Sequence, residues 1–215
     1  MTPERHGAGL SGHGNPNGHH CHGCGTSANS TRRGVLAGLA AGGIAALAGC
    51  LGDDDESGEP PEPIGLDGNQ ECDVCGMLID GNPGPNGQVF FDGDVPPERD
   101  GPAWYDSVRE LYVDRFTQEG QGETPFATYV TDYSAVDWSV EETDGTKQIS
   151  GHTEADGFVP DDEVTFVVES DVEGVMGSDL LPFSDETDSE AFIDEYGGRQ
   201  IVSADVDQSL LDDLS

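Results

Sequence analysis

Beyond residue 87, the apolar and polar positions of the chain follow two different periods. Short segments that alternate, or that are rich in β-branched and aromatic residues, predict strands. The strand segments are 88–91, 126–130, 135–140, 164–168 and 199–204. Residues 104–118 and 184–196 repeat with helical spacing instead. The pattern therefore predicts an α+β fold of two units with similar layout, in which each helix covers one face of a small sheet.

Each predicted helix has one apolar face and a glycine-rich stop. The face of the first helix comprises Trp104, Val108, Leu111, Tyr112 and Phe116. The second helix starts with acidic residues, which the helix dipole favours at an N-terminus, and places Phe192 and Tyr196 on its buried face. Gly120 and Gly122 end the first helix, and Gly197-Gly198 ends the second. We interpret Trp104 and Trp138 as core residues rather than cofactor contacts.

The segments outside the predicted strands and helices indicate an insertion and the bounds of the folded domain. Residues 141–162 contain three glycines and a proline, and we expect them to form an exposed insertion. The folded domain is predicted to span 67–206. Residues 207–215 are predicted to be a C-terminal tail.

The N-terminal region carries two export signals. Arg32 and Arg33 stand just before an apolar segment, Val35–Ala48. This segment is too short for a transmembrane helix, which needs ~20 residues, and suits the apolar core of a signal peptide. The arginine pair resembles a twin-arginine signal. Leu47-Ala48-Gly49-Cys50 resembles a lipobox, so we expect lipidation of Cys50; the alternative is a plain membrane anchor with an incidental cysteine.

Residues 1–49 are thus expected to be removed as a signal peptide, or translation starts further along. They carry a dense tract of metal-binding residue types, comprising His19, His20, Cys21, His22 and Cys24. The mature protein would lose this tract. Residues 50–66 are acidic and Pro/Gly-rich, and we predict that they form a flexible, extended tether between the lipid and the domain.

The charge balance narrows the choice of partners. The chain has 44 acidic residues against 8 basic ones, and Lys147 is the only lysine. Nucleic-acid binding depends on clustered Lys and Arg, so we exclude it. Acidic chains with few aromatics are often disordered, but the regular periods favour a folded domain. Its surface resembles that of proteins from salt-loving archaea, in which salt screens the repulsion, so we expect loosening or unfolding in low salt.

With Cys50 lipidated, the expected mature chain keeps two unmodified cysteines, Cys72 and Cys75. Outside the cytoplasm such a C-x-x-C pair can form a disulfide, act as a thioredoxin-like redox pair or bind a metal. A redox pair of that type opens a helix, whereas a Gly/Pro-rich loop follows here at 80–85. A closed zinc site usually has four ligands. Because His152 is the only other His or Cys in the mature chain, we do not expect a closed zinc site.

Met77 favours copper. The thiolate of Cys75 and the thioether of Met77 are separated by one glycine and can turn toward the same ion. Soft sulfur donors select Cu(I) over zinc or hard cations, and this d¹⁰ ion tolerates low coordination. The third donor stays open among Cys72, Met176 and His152. Met176, for example, is equally compatible with core packing.

Several segments in this order resemble the NosL family, copper-binding lipoproteins that assist the assembly of nitrous oxide reductase. The segments are Cys72-x-x-Cys75-Gly76-Met77-x-Ile79, Pro83-Gly84-Pro85-x-Gly87-Gln88, Trp104-Tyr105-Asp106-Ser107, Tyr129-Val130-Thr131-Asp132-Tyr133, Met176-Gly177-Ser178-Asp179-Leu180-Leu181-Pro182-Phe183 and Ala191-Phe192-x-x-Glu195-Tyr196-Gly197-Gly198. The resemblance covers roughly residues 70–205. It implies a fold of two related β-β-α-β units, similar to organomercurial lyases.

The resemblance also implies a function. We expect a Cu(I) chaperone without catalytic activity, with Cys75 and Met77 as copper donors, and apo nitrous oxide reductase or another extracytoplasmic copper enzyme as its client. One alternative is a thiol–disulfide protein that uses Cys72 and Cys75. A more remote alternative is a lyase-like enzyme in which Asp106 is the proton donor beside the two cysteines.

Overall fold

The computed structural model describes residues 59–215, which fall within one compact unit. The predictions for the signal peptide 1–49, with Arg32 and Arg33, and for Cys50 lie outside the described residues. Among the residues that are described, no helix is long and apolar enough to cross a membrane.

The structure describes ten strands and three α-helices in residues 59–215. The strands are β1 (Gly87–Asp92), β2 (Ala103–Tyr105), β3 (Thr124–Thr131), β4 (Val140–Thr143), β5 (Thr146–Ile149), β6 (Phe158–Pro160), β7 (Thr165–Val168), β8 (Val172–Glu173), β9 (Leu181–Phe183) and β10 (Arg199–Val202). The helices are α1 (Val108–Gln121), α2 (Glu186–Tyr196) and α3 (Gln208–Asp213).

Two β-β-α-β units account for most of these elements. In the first unit, β1 pairs antiparallel with both β2 and β3, and α1 connects β2 to β3. In the second unit, β7 pairs antiparallel with β9 and β10, and α2 connects β9 to β10. The predicted α+β fold with two units of similar layout is therefore confirmed.

The largest hydrophobic cluster joins the two units through α1. On this helix, Val108, Leu111 and Tyr112 are buried. The ring of Tyr112 contacts the ring of Phe166 in β7 edge-on, with the centroids 5.8 Å apart. Full burial of such side chains contributes about 1.5–3 kcal/mol each. The packing therefore fixes α1, and with it the residues at its N-terminal end, relative to both sheets.

The first helix starts later than the sequence pattern predicted. Trp104 lies in β2 and is half-buried, and α1 begins only at Val108. Ser107 adopts an extended backbone, and its side chain accepts the N–H of Glu110, which makes it the N-cap. Asp106 alone separates β2 from this cap, so the sheet edge and the helix N-terminus are directly adjacent.

The predicted strand 135–140 is wrong over most of its length. A turn replaces it, in which the N–H groups of Ala135 and Val136 both donate to the carbonyl of Asp132. The strand β4 begins only at Val140. Trp138 remains 37% exposed, although its ring contacts the ring of the buried Phe192.

The segment 141–162 is more than an exposed insertion. It forms the β4–β5 hairpin, and β5 also pairs in parallel with β8. Its last part is β6, which pairs with β3 and completes the four-stranded sheet β2-β1-β3-β6. Ile149 and Phe158 are buried, so the segment contributes to the core.

The predicted tether and the predicted C-terminal tail are both partly folded. The N–H and carbonyl of Ile64 bond the buried side chain of Gln88, and Leu66 is fully buried. The end of the predicted tether 50–66 is therefore packed on the sheet. The predicted tail 207–215 contains α3, whose Leu210 and Leu211 belong to the main core.

Candidate metal centre

A narrow loop carries Cys72, Cys75 and Met77. Glu71 and Leu78 pair as an antiparallel bridge at its base. Within it, the N–H of Cys72 donates to the carbonyl of Met77 at 2.8 Å. Gly76 has φ +72°, in the left-handed region that favours glycine. The C-G-M spacing is therefore a structural requirement, because Gly76 lets the chain reverse between the two sulfur residues.

Asp73 ties this loop to β2. Its N–H donates to the carbonyl of Trp104 at 2.9 Å, and its carboxylate accepts the Trp104 N–H at 2.7 Å. Arg99 forms a bidentate ion pair with the same carboxylate, at 2.6 and 2.8 Å, and stacks on the Trp104 ring. These bonds hold the loop against the sheet edge that leads into α1.

Each thiol faces a carboxylate at the N-terminal end of α1. The Sγ of Cys72 lies 3.5 Å from Oε2 of Glu110, and the Sγ of Cys75 lies 3.4 Å from Oδ2 of Asp106. One ligand atom from each of the four residues lies within 4.8 Å of the others. Cys72 and Asp106 are buried, whereas Cys75 is exposed. The group is therefore open to solvent at Cys75.

The capping of α1 places Glu110 at the thiol. Ser107-x-x-Glu110 has the sequence of a capping box, in which the glutamate side chain usually returns to the N-cap backbone. Here the Ser107 side chain accepts the Glu110 N–H, but the Glu110 carboxylate accepts a hydrogen bond from Cys72. One half of the capping box is thus replaced by a contact with the cysteine loop.

The environment keeps both thiols protonated at neutral pH. Burial raises the pKa of Cys72 far above its usual value. Partial burial also raises the pKa of Cys75, and the negative charge of Asp106 raises it further. Burial and the charge of Asp106 raise the pKa of Glu110. A helix N-terminus normally lowers a thiol pKa, but desolvation and the carboxylates outweigh that effect here, so a metal ion must displace the thiol protons.

The other two predicted donors lie on different segments. Met176 is partly buried in a turn in which the N–H of Gly174 donates to the carbonyl of Gly177 at 2.8 Å. Three residues later, Asp179 accepts the backbone N–H of Arg109 in the first turn of α1. The Met176 turn is therefore connected to the helix end at which the two thiols lie.

His152 belongs to a second group of possible ligands. Its Nε2 lies 4.0 Å from Glu154, and Asp156 completes a group whose ligand atoms lie within 4.8 Å of one another. Neither cysteine is part of this group. The structure thus brings together Cys72, Cys75 and Met77 on one loop and places His152 in a separate group.

Family membership follows from comparison with known proteins. A sequence model of the NosL family matches residues 63–211, well over half of the chain. The chain belongs to the NosL family. It is 29% identical over 169 residues to the copper-binding lipoprotein NosL of Stutzerimonas stutzeri, and the aligned region covers 79% of this chain and 78% of that protein.

A solved NosL structure agrees with this assignment. The crystal structure of the copper chaperone NosL from Shewanella denitrificans matches with a TM-score of 0.57 at 28% identity, covering 70% of this chain and 99% of that one. The solution structure of apo-NosL from Achromobacter cycloclastes is 22% identical and covers 58% of this chain and 87% of that one. Its TM-score is 0.38.

Two predictions are confirmed by the family match. The resemblance to NosL proteins is one of them. The other is the absence of catalytic activity, since the NosL relatives are named as a copper-binding lipoprotein and a copper chaperone rather than as enzymes.

The sequence analysis missed Glu110 and considered Asp106 only for the lyase alternative. Both lie more than thirty positions from the cysteines that they contact. The capping-box spacing of Ser107 and Glu110 was the available signal, but that pattern alone explains Glu110 without any thiol.

Proposed function

We propose that this NosL family member is a Cu(I) chaperone that carries copper on the loop of Cys75 and Met77. The observation that carries the proposal is the loop itself. It presents an exposed thiol and a thioether on the two sides of a left-handed glycine. The copper-binding and chaperone names of its relatives support the same function.

The donor types favour Cu(I) over other ions. Thiolate and thioether are soft ligands, which select Cu(I), whereas carboxylates suit harder cations. When copper binds Cys75, the S–H bond breaks, a Cu–S bond forms and the proton leaves. The hydrogen bond from this thiol to Asp106 is then lost.

The third donor is Cys72 or Met176. Cys72 shares the loop with Cys75, but burial raises its pKa, which opposes formation of its thiolate. Met176 is neutral and has no proton to lose, and its turn is attached to α1. We assign no copper role to His152, because it lies in the separate group with Glu154 and Asp156.

Release of copper would proceed by ligand exchange. The exposed Cys75 allows an incoming donor from a client to reach the ion before the second protein donor leaves. An ion with low coordination can accept such a donor without a large rearrangement. We propose that the client is apo nitrous oxide reductase or another copper enzyme outside the cytoplasm.

The N-terminal signals support a location at the membrane. We propose export by the twin-arginine pathway through Arg32 and Arg33, removal of residues 1–49 and lipidation of Cys50. The lipid would anchor the protein on the extracytoplasmic side. The relative from Stutzerimonas stutzeri is itself named a lipoprotein.

The environment of the thiols argues against the redox alternative. Reactive redox cysteines have a lowered pKa because the thiolate is the nucleophile. In this structure burial raises the pKa of both Cys72 and Cys75. The lyase alternative gains the contact of Asp106 with Cys75, but the names of the relatives give it no support.

A Cu(I) competition titration tests the proposed donors. It uses the mature chain from residue 51, in high salt and under reducing conditions. Cys75→Ser and Met77→Leu are each expected to weaken copper binding at least about tenfold, which corresponds to ~1.4 kcal/mol.

Two control variants should bind copper like the wild type. Val74→Thr changes an exposed residue of the same loop without removing a donor. His152→Gln removes the imidazole of the separate group. Equal binding by the wild type, Cys75→Ser and Met77→Leu, or no binding by any of them, would disprove the copper-carrier function.

A further inference from the structure

Asp179 is a buried carboxylate that the proposed donor set does not use. It is 3% exposed. Its Oδ1 accepts two backbone N–H groups, from Arg109 and from Leu180, each at 2.8 Å. Its Oδ2 has no hydrogen-bond partner among residues 59–215. A buried carboxylate is costly, so its contacts require an explanation.

The contacts of Asp179 join two segments of the site. Arg109 is in the first turn of α1, where backbone N–H groups lack intrahelical partners. Its neighbour Glu110 contacts the thiol of Cys72. On the other side, Oδ2 of Asp179 packs close to the backbone of Gly174. A Cβ added to Gly174 would lie only 2.8 Å from this oxygen. Asp179 therefore bridges α1 and the base of the Met176 turn.

A second contact places the same turn beside the segment that follows the cysteine loop. A Cβ on Gly84 would lie 2.7 Å from the Cα of Gly174, so the two backbones pack directly on each other. The side chain of Gln148 also donates to the Gly174 carbonyl at 3.2 Å. The Met176 turn is thus held from three sides, and the contact through Asp179 leads to the N-terminal end of α1, where Asp106 and Glu110 lie.

We propose that Asp179 is a positioning residue that fixes the Met176 turn to the N-terminal end of α1, so that Met176 serves as the third sulfur donor for Cu(I). The inference rests on the proposed function. Residues that orient metal ligands typically account for about 10–100-fold in metal affinity. Asp179 acts through Met176 and does not touch the ion.

The test compares Cu(I) affinities in a double-mutant cycle of the mature chain in high salt. Met176→Leu is expected to weaken binding about tenfold or more, and Asp179→Ala to cause a loss of similar size. The double variant Asp179→Ala/Met176→Leu should bind copper no more weakly than Met176→Leu alone, because Asp179 affects copper affinity only by positioning Met176.

A conservative variant separates positioning from general stability. Asp179→Asn keeps an oxygen that accepts the N–H groups of Arg109 and Leu180. Burial raises the pKa of Asp179 to about 7, so the amide resembles the protonated acid at and below that pH. Asp179→Asn should therefore bind copper within about threefold of the wild type at pH 7, a difference smaller than the 10–100-fold expected for loss of the anchor.

Gly174→Ala is the variant to use if Asp179→Ala fails to fold. Its methyl group would meet Oδ2 of Asp179 at 2.8 Å and push the turn away. It should lower copper affinity in the wild-type background and have little effect in the Met176→Leu background.

Three results would overturn the inference. These are an unchanged affinity in Asp179→Ala, an equal loss from Asp179→Ala with and without Met176, and wild-type affinity in Met176→Leu. In each case the copper-carrier function survives if the wild type binds Cu(I) and Cys75→Ser and Met77→Leu do not. If the wild type binds no Cu(I), the proposed function fails first.

Discussion

Asp106 and Glu110 place two negative charges beside the thiols of Cys75 and Cys72. The two carboxylates accept hydrogen bonds from protonated thiols and oppose the formation of thiolates. In the proposed function, a copper ion replaces the proton of Cys75 and supplies positive charge beside the two carboxylates. At the scale of single residues, the proposed site therefore exchanges a thiol proton for a copper ion.

The exchange predicts a pH dependence of copper binding. Because the pKa of Cys75 is raised in the folded protein, its thiol is protonated across about pH 6–8 and loses one proton when copper binds. The apparent Cu(I) affinity of the wild type should rise about tenfold per pH unit in this range. A slope of two in the logarithmic plot would add Cys72 as a donor, and Cys72→Ser should then restore a slope of one. A flat profile would contradict coordination by a thiolate.

The proposed loop donors follow more directly from the sequence than their surroundings do. Cys75 and Met77 are neighbours in the chain, so their spacing alone places two sulfur atoms together. Glu110 reaches Cys72 only because the strand β2, the cap Ser107 and the first turn of α1 are packed against the cysteine loop. That arrangement is tertiary, and no local pattern contains it.

At the scale of elements, the cysteine loop depends on its glycine. Gly76 has φ +72°, and no atom outside its neighbours lies within 4 Å of an added Cβ. The penalty of Gly76→Ala is therefore conformational rather than steric, about 1–2 kcal/mol. Gly76→Ala should also lower copper affinity, because a loop that avoids the left-handed conformation would move Cys75 away from Met77.

Gly120→Ala is the matched control for this substitution. Gly120 lies within α1, and an added Cβ there would also contact nothing within 4 Å. Alanine should stabilise the helix by about 0.5–1 kcal/mol and leave copper binding unchanged. Chemical unfolding in high salt measures both variants, and shifts of the same sign would contradict the backbone argument.

The elements that the sequence analysis misjudged share a physical cause. Residues 208–213 make a helix of less than two turns, which is too short to show a period and is stabilised by burying Leu210 and Leu211. Ile64 is fixed by the side chain of Gln88, a polar residue that local patterning assigns to the surface. In contrast, β1, β3, β7, α2 and β10 follow from their apolar periods because burial on one face determines them.

At the scale of the whole molecule, charge dominates. The formal net charge of the chain is −36 at pH 7. Only a few ion pairs are present in residues 59–215, and the pair of Arg115 with Asp161 is among the more buried. The domain therefore depends on the solvent to screen repulsion between its acidic side chains.

Stability should accordingly rise steeply with salt. The Debye length falls from about 10 Å at 0.1 M to about 3 Å at 1 M. We expect the melting temperature to increase continuously over this range and the domain to loosen or unfold at its lower end. Near-ultraviolet circular dichroism of Trp104 and Trp138 reports the transition. A melting temperature that does not depend on salt would contradict this interpretation of the acidic surface.

The most direct test of the central claim is X-ray absorption at the copper edge of the Cu(I)-loaded mature chain, in high salt and under reducing conditions. The proposed site predicts a first shell of sulfur, with fewer sulfur neighbours in Met77→Leu and the loss of bound copper in Cys75→Ser. A shell dominated by nitrogen or oxygen, unchanged in both variants, would show that copper is held elsewhere and contradict the account.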